Sequence, residues 1–226
     1  MASATPNIRR IQSSLAAIGN GNAGTISGSG ILVLVKEEGL RTERLWLRPW
    51  RDGDLDAFAS MNADPAVMRY FPAPLSRDET AASMARYRAH LDEHGFGFLA
   101  VELRADSRFV GALGLSIPRF VAHFTPCVEI GWRLARDHWG RGYATEGAQA
   151  ALRDGFARLR LKEIVAFTTP ANLRSRRVME KLGMRRVVED DFDHPLLAPE
   201  HPVRRHLLYR LSRADWELKL PGSSPR

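Results

Sequence analysis

The stretch "HWGRGYATEG" at 138–147 constrains this chain more than any other. Gly140 and Gly142 stand between an apolar strand pattern, "CVEIGWRLA" (127–135), and a helix-forming run. Glycine permits positive φ angles and has no Cβ, so a ligand can come close to the backbone. The first N–H groups of a helix lack intrahelical acceptors and favour a bound anion. The segment predicts a phosphate site, with an ordinary tight turn as the alternative.

Neither of the familiar nucleotide motifs is complete in this segment. Thr145 stands where the dinucleotide fingerprint needs its third glycine, and the Gly-Lys-Ser/Thr of a P-loop is absent from the segment. Arg136, His138 and Arg141 are expected to add positive charge around the loop. The pattern therefore favours a phosphorylated ligand of another class.

A second motif, "NLRSRRVMEKLGM" (172–184), follows the strand pattern "EIVAFTT" (163–169). Asn172 and Ser175 are residue types that cap helix starts, and Gly183 is typical of the position just after a helix. The sequence therefore predicts a second strand-to-helix unit directly after the first.

Together, the two motifs resemble those of the GNAT N-acetyltransferases, in the branch of ribosomal-protein-alanine acetyltransferases. The coenzyme A loop of that family, Gln/Arg-x-x-Gly-x-Gly/Ala, is similar to 139–144, where Trp139 replaces the Gln/Arg. The family's Asn-x-x-Ser segment, with Glu-Lys-Leu-Gly-Phe downstream, is similar to 172–184, where Met184 replaces the aromatic residue. The resemblance covers residues 42–213.

The resemblance implies an α/β (α+β) fold: one domain with a mixed, mostly antiparallel twisted sheet flanked by helices. We expect this acetyltransferase domain at 42–213, after a disordered extension at 1–41 and before a tail at 214–226. The extension is acid-poor and rich in Ser, Gly and Asn, so a transit peptide or a misplaced start codon are alternatives. Acetyl-CoA is the implied co-substrate, without a metal.

The resemblance also assigns cofactor contacts. The strand before the glycine loop should splay from its neighbour, and its backbone should hold the pantetheine arm and polarise the acetyl carbonyl. The implied strand residues are Ile130, Gly131, Trp132, Arg133 and Leu134. The implied loop and helix residues, whose N–H groups would cradle the pyrophosphate, are Trp139, Gly140, Arg141, Gly142, Tyr143, Ala144 and Thr145. Asn172 and Ser175 are expected to complete the site.

Acetyl transfer to an amine needs a base, N–H donors for the developing oxyanion, and an acid for the leaving thiolate. Glu129 is the candidate base; the alternative is a strand carboxylate paired with Arg133 on the same face. Ser175 is the candidate acid by resemblance, and its alternative is a helix-start hydroxyl. Asn172 would hold pantetheine or water, or merely cap the helix. Tyr209 is a reserve acid, or a packed strand tyrosine.

Other chemistries find little support. Cys127 is the single cysteine, so no internal disulfide can form, which suits a reducing compartment and a cytoplasmic protein. We interpret it as a small core residue, not a nucleophile aided by His123. The histidines have no metal-ligand spacing. "DFDHP" (191–195) lines the substrate mouth or, as we prefer, forms a solvated loop. The longest apolar run, at 31–35, is far below the ~20 residues of a membrane span.

Three functions compete. The first is an N-acetyltransferase acting on a protein N-terminus or a small-molecule amine, as a monomer or homodimer. The second is a non-catalytic acyl-CoA-binding or sensor module of the same fold. The third is a nucleic-acid binder, suggested only by the net charge of +7. We rank it last, because the aromatic residues are not interleaved with basic ones as stacking platforms require.

Overall fold

The computed structural model describes residues 38–219 of the chain. Its strands are β1 (Leu40–Arg41), β2 (Leu45–Arg48), β3 (Phe98–Leu103), β4 (Phe109–Ser116), β5 (Glu129–Leu134), β6 (Glu163–Thr168), β7 (Arg185–Arg186), β8 (Phe192–Asp193) and β9 (Arg205–Ser212). Its α-helices are α1 (Leu55–Ala63), α2 (Pro65–Met68), α3 (Arg77–His94), α4 (Tyr143–Arg153), α5 (Leu173–Leu182) and α6 (Arg213–Glu217). A π-helical turn, Asp154–Arg158, continues α4.

The strands form one mixed sheet in the order β1-β2-β3-β4-β5-β6-β9-β7, and β8 pairs with β9 outside this path. Neighbours are antiparallel except β5 and β6, which run parallel. The glycine loop and α4 connect these two parallel strands. The predicted fold class, a mostly antiparallel mixed sheet with flanking helices, is confirmed.

The two faces of the sheet carry different helices, because side chains alternate along each strand. Helix α4 packs on β2, β4 and β5, where Gly147 lies against the Leu113 side chain. On the opposite face, Phe58 of α1 packs with Trp50, their ring centroids 4.6 Å apart, above Ala112 of β4. The sheet is therefore buried on both sides around β4, and β5 is held firmly along one edge.

Residues close in sequence mark the start of α3 and the end of α5. The Ser76 hydroxyl accepts from the Glu79 N–H at 3.2 Å, and the Glu79 carboxylate accepts from the Ser76 N–H at 2.8 Å. This is a capping box at the start of α3, formed by a serine and a glutamate three residues apart. Gly183 follows α5 with a left-handed φ of +79°.

One local expectation was wrong in part, because a tertiary partner intervenes. The preferred solvated loop at 191–195 contains the short strand β8, which pairs with β9, and the Phe192 side chain is buried. Asp52, of a residue type that often caps helices, lies before α1, but its carboxylate pairs with Arg88 at 2.7 Å. The segment at 184–190 holds only strand β7 before the chain turns at Val188–Asp190.

The ordered elements extend slightly beyond both expected boundaries of the domain, 42 and 213. Strand β1 pairs with β2, so the sheet begins at Leu40, two residues before the expected start at 42. Helix α6 occupies the first part of the expected tail at 214–226. Most of the predicted extension at 1–41, including the apolar run at 31–35, lies outside the described residues.

Candidate active site

Strands β5 and β6 separate almost as soon as they meet. Their only registered pair within residues 38–219 is Glu129 with Val165, beside a hydrogen bond from the Val165 N–H to the Val128 carbonyl at 3.0 Å. By contrast, β5 pairs with β4 along its whole length. Beyond Glu129 the backbone edge of β5 therefore faces an opening instead of a strand. The splay that the resemblance implied is confirmed.

The glycine loop follows the end of β5 that has no partner on β6. Gly140 and Gly142 have φ angles of +73° and +82°, which L side chains rarely adopt. Gly142 is the residue before α4 and offers no side chain to cap it. The N–H groups of residues 143–145 donate to no acceptor in the described part of the chain, since the first helical bond comes from Glu146. These open donors at a helix start suit a phosphate.

Arg44 supports the loop from outside, and sequence reasoning missed it. Its Nη1 donates to the Arg141 carbonyl at 3.1 Å, and its Nε donates to the Glu146 carboxylate at 2.6 Å. The guanidinium also lies over the Tyr143 ring at 4.8 Å. Residues 44 and 146 are too far apart in sequence for any spacing rule to connect them.

Glu146 is an anion in the first turn of α4, close to the predicted pyrophosphate. Desolvation raises the pKa of Glu146, but hydrogen bonds from Thr42 and Arg44 outweigh it and hold the pKa below its ordinary value. The Thr42 hydroxyl donates at 2.6 Å. The carboxylate is therefore ionised but neutralised locally, so that it need not repel a second anion.

His138 does not supply the charge expected of it. Its side chain is buried, and desolvation, followed by the cations of Arg141 and Arg108, lowers the imidazole pKa below its ordinary value. A neutral imidazole at pH 7 follows. Arg136 and Arg141 are exposed at the loop, as a phosphate site requires.

Trp139 joins the two sequence motifs. Its indole Nε1 donates to the Leu134 carbonyl at 2.8 Å, so this carbonyl at the end of β5 already has a partner. The guanidinium of Arg174, in the first turn of α5, stacks over the Trp139 ring at 4.4 Å. Sequence reasoning missed Arg174, since nothing in its own segment marks it. The stack places the start of α5 beside the glycine loop.

Asn172 and Ser175 form one hydrogen-bonded unit at the start of α5. The Asn172 side-chain carbonyl accepts from the Ser175 N–H at 3.3 Å, so Asn172 is indeed a helix cap. Its amide donates to the hydroxyls of Thr168 at 2.9 Å and Ser175 at 3.1 Å. The Ser175 oxygen therefore accepts a bond while its own proton stays free to be donated.

Glu129 lies where β5 and β6 part, in a partly exposed position. Its carboxylate contacts no polar partner in residues 38–219, and burial among protein atoms raises its pKa to about 8. The alternative that paired it with Arg133 is wrong, because Arg133 donates from Nη1 to the Asn62 side chain at 2.7 Å. The site thus holds an unpaired carboxyl group that titrates near neutral pH.

Tyr209 and Cys127 are the remaining titratable side chains that the sequence singled out. Tyr209 is buried, pairs with Ala166 of β6, and its hydroxyl oxygen accepts from Arg176 Nε at 3.4 Å. Glu129 pairs with Val165, whereas Tyr209 pairs with Ala166, and these neighbours on β6 point to opposite faces of the sheet. Tyr209 therefore lies on the face covered by α5, opposite to Glu129. Burial raises the pKa of Cys127 to about 12, so its thiol stays protonated at neutral pH. This agrees with a packing role for the cysteine.

Residues 38–219 contain no cluster of three or more His, Cys, Asp or Glu side chains able to hold a metal ion. No helix in this part of the chain has both the length and the apolar character to cross a membrane.

The sequence profile of the acetyltransferase (GNAT) domain matches residues 44–185, which include both motifs and the splayed strands. The chain belongs to the GNAT acetyltransferase family. It is 33% identical over 147 residues to the uncharacterized N-acetyltransferase YnaD of Bacillus subtilis, a match covering 65% of this chain and 82% of the relative. The chain is therefore an acyltransferase, of a family that uses acetyl-CoA. Its place in the ribosomal-protein-alanine branch stays a prediction.

A further relative and a solved structure extend the match. The chain is 30% identical over 183 residues to the FsC-acetyl coenzyme A-N(2)-transacetylase of Aspergillus fumigatus, covering 78% of this chain and 77% of that one. A crystal structure of a GNAT-family acetyltransferase from Bacillus anthracis superposes with a TM-score of 0.64 at 29% identity. It covers 77% of this chain and 98% of that chain. The GNAT fold is thus confirmed by sequence and by structure.

Proposed function

We propose that this protein transfers the acetyl group of acetyl-CoA directly to a primary amine, either a protein N-terminal α-amine or a small-molecule amine. The observation that carries the proposal is the splay of β5 from β6 next to the open N–H groups of residues 143–145. An extended ligand fits the backbone edge of β5, and a phosphate fits the start of α4. Acetyl-CoA has both parts.

The residues present fit this co-substrate. In our proposal the backbone from Ile130 to Leu134 binds the pantetheine arm, and the loop from Trp139 to Thr145 binds the pyrophosphate. The Leu134 carbonyl bonds Trp139, so the contacts to pantetheine come chiefly from residues 130–133. Bound acetyl-CoA supplies a thioester that is already activated toward amines, so the protein must mainly position the reactants.

Glu129 and Ser175 divide the proton transfers. With a pKa of about 8, the Glu129 carboxylate is basic enough to accept a proton from the amine as the new amide forms. The Ser175 hydroxyl, held by Asn172, donates its proton to the leaving sulfur. Tyr209 remains the reserve acid in this scheme, although its oxygen is shared with Arg176.

Calorimetric titration of acetyl-CoA into the purified protein tests the site. Gly142→Glu should reduce acetyl-CoA affinity at least tenfold, because it adds a negative charge beside the predicted pyrophosphate. Gly142→Ala is the matched control, since it strains the same φ of +82° without adding charge, and it should lose less. Folding of both variants is checked by circular dichroism.

Binding by the wild type must then be joined by release of free thiol with an amine acceptor. Binding without turnover over a broad amine panel would favour the non-catalytic acyl-CoA-binding module. Absence of binding by the folded wild type would overturn the proposed site altogether.

A further inference from the structure

Arg133 carries a guanidinium that has no counter-ion within residues 38–219. Its Nη1 bonds the neutral Asn62 side chain at 2.7 Å, and its charge lies over the Phe71 ring at 4.2 Å. The Nε–H is shielded from water and has no acceptor within residues 38–219. No carboxylate of this part of the chain forms an ion pair with it.

Another arginine of the sheet has a different environment. Arg48, buried on β2, bonds two carboxylates, those of Asp54 at 2.8 Å and Glu102 at 2.7 Å. A buried charge without a partner is costly, so structural arginines are normally paired in this way. Desolvation lowers the pKa of Arg133, which expresses that cost. An anion bound to Arg133 would therefore lower this cost.

The position of Arg133 links it to the reacting amine. Glu129, Gly131 and Arg133 alternate along β5 and share one face of the sheet. Gly131 has no side chain, and the Phe98 ring lies only 2.8 Å from where a Cβ would be. Along this face the order is a carboxyl base, an apolar ring and a guanidinium. Arg133 is partly exposed, so a ligand can reach it.

We propose that Arg133 binds a carboxylate of the acceptor, so that the substrate carries an amine, an apolar spacer and a carboxylate. This inference rests on the proposed function, since it takes Glu129 to mark the amine. A guanidinium matches the planar carboxylate with two parallel N–H donors, which an ammonium group does not provide. Asn62, fully buried and also bonded to Thr80 at 3.2 Å, fixes the guanidinium from behind.

The test compares ω-amino carboxylates with their ω-amino amides, pair by pair. Chains of about four to eight carbons suit the ~13 Å that separates the Cα atoms of residues i and i+4 on a strand. With acetyl-CoA and the wild type, the carboxylate should have a kcat/KM about tenfold or more above its amide, through a lower KM. Arg133→Gln should reduce this ratio to about one, and Arg133→Lys should keep part of it.

Asn62→Asp is a second variant, and it should change substrate preference and stability together. The new carboxylate has the shape of the amide, can accept from the Thr80 hydroxyl, and gives Arg133 an internal partner. It should remove the preference for carboxylate acceptors while raising the melting temperature. Arg153→Gln, at an exposed arginine of α4, is the control and should keep the wild-type ratio.

A binding measurement keeps this inference separate from the proposed function. N-acetylated ω-amino carboxylates and amides do not react, so their titration into wild type and Arg133→Gln tests recognition without turnover. A carboxylate preference that is lost in Arg133→Gln supports the inference even if no amine is acetylated. The lack of acetylation would then count against the proposed function and not against the carboxylate site. Equal binding of carboxylate and amide by the wild type, or an unchanged preference in Arg133→Gln, would overturn it.

Discussion

Replacing Glu129 by Gln should stabilise the fold and impair the reaction at the same time. In the folded protein burial raises the carboxyl pKa from 4.5 to about 8. The native state then binds more protons than the unfolded state between these values, so stability falls as pH rises from about 4.5 to 8. At 1.36 kcal/mol per pKa unit, the free energy of unfolding can fall by at most about 5 kcal/mol over this range. Partial exposure of the side chain reduces it to roughly 2 kcal/mol.

The assay for stability is urea unfolding at pH 5 and pH 9. E129Q lacks the titrating group, so it should exceed the wild type in unfolding free energy at pH 9 and resemble it at pH 5. Glu163→Gln is the matched control, because Glu163 lies on the neighbouring strand β6 and pairs with Arg210 at 2.7 Å. It should gain no stability at pH 9.

The assay for activity is kcat/KM against pH, with an acceptor whose amine pKa lies below 6 so that only the enzyme titrates. A base with a pKa of about 8 is about one-tenth ionised at pH 7 and about nine-tenths ionised at pH 9, which predicts a roughly tenfold rise. E129Q should lose about 10²- to 10⁴-fold in kcat/KM and show a flat profile. Wild-type activity in E129Q, or the same rise with pH, would refute the role of Glu129 as base.

Two further predictions concern the opposite side of the site and the glycine loop. Ser175→Ala should lower kcat about tenfold or more, as expected on loss of a general acid. Its melting temperature should change little, because Asn172 still caps α5. An unchanged kcat in steady-state kinetics would contradict the acid role and leave Ser175 as a helix-start residue. Arg44→Ala should weaken acetyl-CoA binding about tenfold in calorimetry, or about 1.4 kcal/mol, because the Glu146 carboxylate is left unneutralised near the pyrophosphate. Adding Glu146→Gln should restore part of the affinity, and a single variant that binds like the wild type would contradict this reasoning.

The sequence alone determined the features that depend on near neighbours in the chain. The glycine loop before α4, the capping box of Ser76 and Glu79, and the Asn172 cap of α5 each follow from residues within four positions of one another. Such signals act through local φ angles and backbone hydrogen bonds, which distant residues change little. The resemblance of the two motifs then pointed to the splay between β5 and β6, which the structure confirmed.

Only the tertiary structure decided which charges are paired. Residues 44 and 146, or 62 and 133, meet only after the sheet has formed. From the sequence, a pair between Glu129 and Arg133 was the alternative to a base role for Glu129, and the structure keeps these two side chains apart. That separation leaves a carboxyl group and a guanidinium unpaired on one face of β5. The pKa of a side chain, and whether a charged group has a partner, depend on burial and on distances of a few ångströms. The order of residues along the chain does not specify that burial or those distances.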